Sequence, residues 1–366
     1  MTVRIEQFDT TGGELLGRML ELRSRVYTGD DDYVPPFEGA LEGELRRPAF
    51  AGRQCIFTAR RPGEVVGYAV VRCPKELQLD GRKVATIGPF EALHDPEAVA
   101  ELLEAAARWA LEEGSAEVVG PLDGDTWHDH RLNLGPYDEP PFLMEPYNPS
   151  YYPEVWEQAG FEVLERYHSR RVDDLEGAAR YHRPRWASAR SLGYRVEPMT
   201  DGSIAATLDR VYDMVRVVFS DDTLFTPIRR AAFKKLYEGV ESMLDGELSF
   251  FLVDRSGEDA GFAFVIPDYG RAVAAMDGRK NLWARAKFLA NRRTDTANIR
   301  AFGVMPDHRG EGLASAMAHK FYAGMIDRGF EKANICLIPD DDMASVKIDG
   351  ERGRILRRYA LYRWDR

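Results

Sequence analysis

Residues 303–317 read GVMPDHRGEGLASAM and hold the clearest chemistry in the chain. Glycines 310 and 312 leave the backbone uncovered where a polar turn enters a segment of helical spacing, with Leu313, Met317, Phe321 and Met325 on one face. Consecutive N–H groups at such a helix start, helped by the helix dipole, can hold an anion, and a diphosphate suits the loop. A Gly-Lys-Ser/Thr does not follow, so this is not a Walker loop. The glycine spacing also differs from the dinucleotide fingerprint GxGxxG. The competing reading is a glycine-rich turn that only caps its helix.

Other residue types with chemical potential are scattered. Glu91, at a strand end, is a candidate general base for an amine, against a solvated or capping carboxylate. Asp221 and Asp222 in SDDTLFTP, residues 220–227, can hold a cationic amine or simply form an acidic turn. Tyr359 and Tyr362, in RRYALYRW near the end of the chain, are candidate acids, although terminal-strand aromatics usually pack a core. His128 and His130 form an HxH pair with no third spaced ligand, so no metal is expected. Cys55, Cys73 and Cys336 show no CxxC spacing and are read as reduced thiols. A Ser/His/Asp or Cys/His nucleophile signature is also missing.

The elements that must position these residues follow from periodicity. Val3–Phe8, Cys55–Ala59, Val65–Val71 and Val84–Phe90 alternate or run apolar as strands do. A helix follows with Val99, Leu102, Leu103, Ala106 and Ala110 on one face, and then a strand at Ala116–Val119. The second half repeats the order. Its strands are Tyr194–Pro198, Leu248–Val253, Gly261–Ile266, Asn298–Met305 and Ala333–Ile338, with helices near Ile204–Phe219 and Ile228–Leu244. Both halves share a β-α-α-β-β-β-α-β plan, so two tandem α/β units are predicted: 1–172, a linker over 173–193, and 194–366. Protease access near residue 180 separates this from a single large domain. An Arg-rich insert over Arg279–Arg293 reads as a solvated basic loop.

Length and composition agree with two domains. The 366 residues suit two cores, and 44% apolar with 30% charged residues suits a packed protein. A net charge of −11 argues against nucleic acid as a partner. The N-terminal residues lack a secretory apolar core, and no apolar run reaches membrane-spanning length, so a cytoplasmic protein without a membrane partner is expected.

Arg309, Gly312 and Ala314 fall at the spacing of the acyl-CoA loop of the GNAT acyltransferases, and the strand before, the helix after and the ending RRYALYRW complete the resemblance. It implies two tandem GNAT-like folds, each a mostly antiparallel mixed sheet flanked by helices. It further implies a strand whose residues Phe302, Val304 and Met305 line a pantetheine arm. Arg309, Gly310, Gly312, Leu313 and Ala314 would then hold the pyrophosphate, with Asp342 and Ser345 nearby. The segment PDDDMASVKI lacks the family's usual thiolate-protonating Tyr, which leaves Tyr359 as a substitute. In the first half IGPFEALHDPEAVAELL, residues 87–103, carries Glu91, Asp95 and Glu97 where phosphate-binding amides are needed, so that copy reads as degenerate. MEPYNPSYYPEVWEQAGFE, residues 144–162, keeps the fold's later segment, and GPLDGDTWHDHRLN, residues 120–133, gathers types that line pockets.

The activity implied is direct attack of a small-molecule amine on acetyl-CoA or another acyl-CoA, without a covalent enzyme intermediate. Two alternatives stay open. One is a noncatalytic binding protein. The other is a transferase whose donor is a carrier protein or aminoacyl-tRNA, met by the basic insert.

Overall fold

The computed structural model describes residues 2–10, 12–46, 52–239, 243–342 and 347–364. In chain order the first half comprises β1 (Arg4–Phe8), α1 (Gly13–Val26), α2 (Ala40–Leu45), β2 (Arg53–Arg61), β3 (Glu64–Cys73), β4 (Gln78–Leu79), β5 (Arg82–Ala92), α3 (Pro96–Glu112), β6 (Glu117–Gly120), β7 (Leu132–Gly135), α4 (Tyr152–Gln158) and β8 (Phe161–Val172). The second comprises α5 (Leu175–Ser191), β9 (Arg195–Pro198), α6 (Ile204–Val218), α7 (Arg230–Leu236), β10 (Phe250–Val253), β11 (Asp259–Pro267), α8 (Gly270–Ala274), α9 (Leu282–Asn291), β12 (Thr296–Val304), α10 (Leu313–Asp327), β13 (Lys332–Pro339) and β14 (Gly353–Trp364). The repeated order predicted from periodicity is present.

One sheet runs β1-β2-β3-β5-β6-β14-β8-β13-β12-β11-β10-β9. Its middle is an exchange of strands. β14, from the end of the chain, pairs with β6 of the first half (Tyr362 opposite Gly120), while β8 pairs with β13 of the second (Ala333 opposite Val172). The two exchanged strands pair with each other from Gly353–Val172 to Trp364–Phe161. A cut at 173–193 therefore crosses the sheet rather than passing between two self-contained sheets.

That segment is not an open linker. α5 begins at Asp174, whose carboxylate accepts from the Gly177 N–H (2.8 Å), and tolerates the exposed Pro184. It packs on α10 through Ala178, Ala179 and Ala189, and His182 bonds Ser315 (2.6 Å) and the Ile348 carbonyl (3.0 Å). The expected protease-accessible stretch near residue 180 is a docked helix.

The two largest apolar cores among the described residues lie against the sheet, one in each half. One joins β2, β3 and β5 to α3 through Phe57, Val71, Ile87, Leu102 and Leu103, and the other joins β11, β12 and β13 to α10 through Val265, Ile299, Met317, Phe321 and Ile335. The Arg-rich insert between β11 and β12, expected as a loop, contains helix α9, which starts at Asn281 with its side chain accepting from Ala284 N–H (2.9 Å).

Glu145, whose side chain is fully buried, ties a first-half loop to the exchanged strand. It accepts from Arg357 (2.8 Å), from Phe142 N–H (2.9 Å) and from the Tyr359 hydroxyl. Breaking such a pair leaves the buried Arg357 charge without its counterion, held only by the Pro136 and Glu139 carbonyls. Glu145→Ala is therefore expected to lower unfolding free energy by about 3–5 kcal/mol, read as a lower urea midpoint at unchanged slope.

Candidate functional site

β12 and β13 run parallel and pair from Thr296–Lys332 to Ile299–Ile335, where their pairing ends although both strands continue. β12 goes on against β11 to Val304, with Arg300 as an extra residue between Ile299 (opposite Val265) and Ala301 (opposite Phe264). β13 instead stays with β8, its partner since Ala333, through a register shift after Ile335. Leu337 takes a positive φ of 58°, its N–H donates to Ser169 Oγ (3.0 Å), and Ile338 pairs with His168. The two strands thus open as a fork, and the edge of β12 from 300 to 304 faces into it. Phe302 and Val304 pack partly against the α10 core. Met305 leans to the opposite side with α6 and donates its N–H to the Ala260 carbonyl (2.9 Å).

At the end of β12 the chain makes a short turn and enters α10 at Gly312, which has φ +76° and offers no side-chain cap. Gly310 has φ +88°. Only glycine adopts this conformation readily, so the leading N–H groups of α10 stay uncovered. Tyr194 braces the loop, bonding His308 Nδ1 (2.8 Å) and Glu311 (2.7 Å), and Arg309 donates to the Val304 and Val218 carbonyls (3.4 and 3.2 Å). Leu313 is buried and Ala314 packs partly against the same core. A Cβ on Gly312 would stand 3.2 Å from Arg185 of α5, which brings an exposed cation to the uncovered amides. Nothing in the sequence marks Arg185 as a site residue, because it lies in the joining segment 173–193.

The equivalent place in the first half is closed. β5 and β6 pair from Val84–Glu117 to Thr86–Val119, and the Leu122 N–H continues the ladder to the Ile87 carbonyl (2.8 Å). Leu122 and Asp123 fill the space, pressing so near Gly88 that a Cβ there would meet the Leu122 carbonyl carbon at 2.8 Å. Buried Arg72 pairs with Asp123 and donates to the Gly88 carbonyl. The start of α3 is capped by Asp95, which accepts from Ala98 N–H (3.2 Å) and pairs with Arg61 (2.9 Å). Matching helices of the two halves thus differ in whether an acid already occupies their N-terminus.

Glu91 belongs to this closed half and does not reach the fork. β5 lies five strands from β12 in the sheet, roughly 24 Å at ~4.8 Å per strand. Its carboxylate is buried and engaged by Arg23 (3.2 Å), Tyr152 (2.7 Å) and Tyr27 (3.4 Å), and burial raises its pKa. Glu91 anchors the first half's core instead of serving as a base at the fork. Tyr359 is likewise fully buried. Its hydroxyl donates to Glu145 and lies 3.1 Å from Ser169 Oγ, and burial lifts its pKa well above the ordinary value. A tyrosine so engaged is a poor proton donor to a thiolate.

Asp222 stands with a group that the sequence left dispersed. Glu165 of β8, Asp341 and Asp342 after β13, and Arg131 from the 120–133 loop gather at the mouth near β8 and the end of β13. Desolvation, then Glu165 and Asp342, push the Asp222 carboxyl up to about 6, with Arg131 opposing. Arg131 lies 3.8 Å over the Tyr167 ring, and Tyr167 donates to Glu165. Asp342 therefore sits among carboxylates, where a phosphate would be repelled, rather than at the phosphate loop. Ser345 lies outside the described residues. Trp127 holds the 220–227 loop from the first half, its Nε1 donating to the Thr226 carbonyl (2.8 Å) and its ring 5.6–5.7 Å from Phe225 and Phe233. His128 bonds Asp125 (2.6 Å) and His130 the His128 carbonyl (2.7 Å). Among the described residues no His, Cys, Asp and Glu group of three or more is placed to hold a metal. Arg300, over Phe142 with a buried, unpartnered Nη1, is a further fork residue that only the bulge reveals.

Comparison with known proteins matches this geometry. The acetyltransferase (GNAT) family model matches residues 223–347, which span the fork and its loop. The likeness to that family thus rests on the stretch that carries β12, α10 and β13. Across 99% of the chain the fold resembles a tandem GNAT protein from the clavulanic acid biosynthesis pathway, at 14% identity, 98% of that chain and a TM-score of 0.53. A GCN5-related N-acetyltransferase from Sphaerobacter thermophilus gives 12% identity over 98% of this chain and 95% of that one, with a TM-score of 0.51. Protein YghO of Escherichia coli (strain K12) is 24% identical over 142 residues, 38% of this chain, and the match spans 36% of its own length. The architecture is two tandem GNAT-like folds in one mixed sheet. No helix among the described residues is long and apolar enough to cross a membrane.

The acidic mouth makes a pH-dependent prediction. Because Asp222 has a folded pKa above its unfolded value, the folded state holds the extra proton between about 4 and about 6. Its stability relative to Asp222→Asn is therefore expected to fall as pH rises through that window and to level off above it. Paired thermal melts from acid to neutral pH check this, and a constant difference between the two proteins contradicts it.

Proposed function

We propose that the chain is an acyl-CoA-dependent N-acyltransferase that passes an acyl group, most simply acetyl, to the amine of a small molecule. The observation that carries this reading is the open fork of β12 and β13 leading directly into the uncapped N-terminus of α10. In this reading the 300–304 edge of β12 pairs with the pantetheine arm, the Gly310–Ala314 backbone holds the pyrophosphate, and Arg185 adds a cation to the phosphates. A β12 N–H polarises the thioester carbonyl, and the neutral amine attacks it, so that the C–N bond forms, the C–S bond breaks and CoA thiolate leaves, the proton shed by the nitrogen passing through water to give the thiol.

The acceptor then approaches the mouth formed by Asp222, Glu165, Asp341 and Asp342, whose summed charge favours a cationic amine before its deprotonation. Above about pH 6 Asp222 is ionised and contributes to that attraction. The first half supplies position: Trp127 sets the 220–227 loop, and β8 forms the wall against which β13 diverges. We assign the closed first-half fork no cosubstrate.

Calorimetric titration with acetyl-CoA and longer acyl-CoAs, wild type beside Gly312→Glu, tests this reading. Micromolar binding is expected. The substitution should weaken it at least about tenfold, because a like charge about 4 Å from phosphate costs ~1–4 kcal/mol and a side chain there also strains φ +76°. Absence of binding to folded wild type would contradict CoA dependence and leave a carrier-linked donor. CoA binding without turnover of any amine would indicate a noncatalytic binding protein.

A further inference from the structure

Helix α9 is unused by the proposed activity, and its surface is inverted. From Arg279 to Arg293 the chain carries Arg279, Lys280, Arg285, Lys287, Arg292 and Arg293 and no acidic residue, within a protein of net charge −11. The helix turns little inward: Ala284 is buried, and Phe288 is partly buried with its ring 5.6 Å from Tyr269. At ~100° per residue the opposite side is formed by Leu282, Ala286, Leu289 and Ala290, with Trp283 at its edge. All five are exposed, Leu282 by 81%, Trp283 by 82% and Leu289 by 58%. Arg285 and Lys287 flank this stripe on either side, and the remaining cations stand beyond its two ends. A surface helix ordinarily presents its polar face to water, whereas this one presents an apolar stripe ringed by cations.

We propose that α9 lays the protein on an anionic phospholipid bilayer surface. The stripe enters the boundary between headgroups and acyl chains while the cations meet lipid phosphates, and an indole favours that depth. Charge complementarity selects this occupant. A second copy related by a two-fold axis through α9 would set six cations against six. A nucleic acid would match the cations but leave Leu282 and Leu289 without apolar cover. The insert enters β12 at Thr296, and the Gly310–Gly312 loop follows the other end of that strand, roughly 25 Å away at ~3.3 Å per residue. Docking through α9 therefore leaves the phosphate loop free.

The test is cosedimentation of the full-length protein with vesicles of phosphatidylcholine alone or mixed with phosphatidylglycerol, without any acyl-CoA. Partitioning onto anionic vesicles is expected to exceed that onto neutral ones at least about tenfold and to fall with salt. Leu282→Gln/Trp283→Gln/Leu289→Gln and, separately, Arg285→Gln/Lys287→Gln/Arg292→Gln/Arg293→Gln should each lower it at least about tenfold. These positions are exposed, so melting temperature should hold. The emission attributable to Trp283, taken as wild type minus Trp283→Phe, should shift to the blue on binding. No preference for anionic vesicles overturns the proposal, as does unchanged binding by the apolar triple variant. It is equally overturned by a dimer that the triple variant abolishes, or by binding to RNA or an acidic protein in place of vesicles.

Discussion

The pairing of β8 with β14 is the constraint on which the rest of the molecule depends. Each strand belongs by sequence to one half and by hydrogen bonding partly to the other, and they pair with each other along nearly their full length. The two cores therefore cannot form independently of this seam. The seam also shapes the site: β13 leaves β12 after Ile335 but stays with β8, paired from Ala333–Val172 and, past a register shift, at Ile338–His168, so a first-half strand holds the second-half fork open. Glu145 and Arg357 pin the same seam with a fully buried ion pair, reinforced by Tyr359.

Two copies of one plan have diverged at the same structural point. In the first half Leu122 and Asp123 occupy the gap beside β5, Arg72 is satisfied by Asp123, and Asp95 caps α3. In the second half the gap stays open, and the N-terminus of α10 begins at a left-handed glycine with no side-chain cap. The 120–133 loop does both structural tasks of the first half. It plugs its own fork and, through Trp127, supports the loop that carries Asp222 across the sheet. The half whose fork is closed thus frames the open fork of its neighbour.

Much of this was legible in the sequence because its signals are local. Apolar periodicity marked β1, β2, β3, β5, β6 and β9 to β13 with α3, α6, α7 and α10, but not β8, α5 or α9, and Gly310 and Gly312 marked the loop by what their backbone must do. The acids at Glu91, Asp95 and Glu97 announced the closed half. Long-range register was not legible: RRYALYRW read as an ordinary last strand, and nothing in its residues says that it crosses to β6. For the same reason Tyr359 and Glu91 stayed open as candidate acid and base, and only the fold shows the first buried in the core and the second five strands from the fork. Asp222, Glu165, Asp342 and Arg131 are spread over more than two hundred residues, so only the fold shows them as one electrostatic group. The insert at Arg279–Arg293 looked like a solvated loop because its cations dominate; helical phase reveals that Leu282, Ala286 and Leu289 share one side.

The central claim is that an acyl-CoA occupies the second-half fork and not the first-half one. Amide hydrogen exchange with and without saturating acetyl-CoA addresses it directly, since it reads the backbone groups that would make the contacts. Slowed exchange confined to residues 300–314 and 336–339, with residues 86–97 unchanged, is the predicted result. Protection at 86–97 and 120–131 instead, or no protection anywhere in the second-half fork, would contradict it.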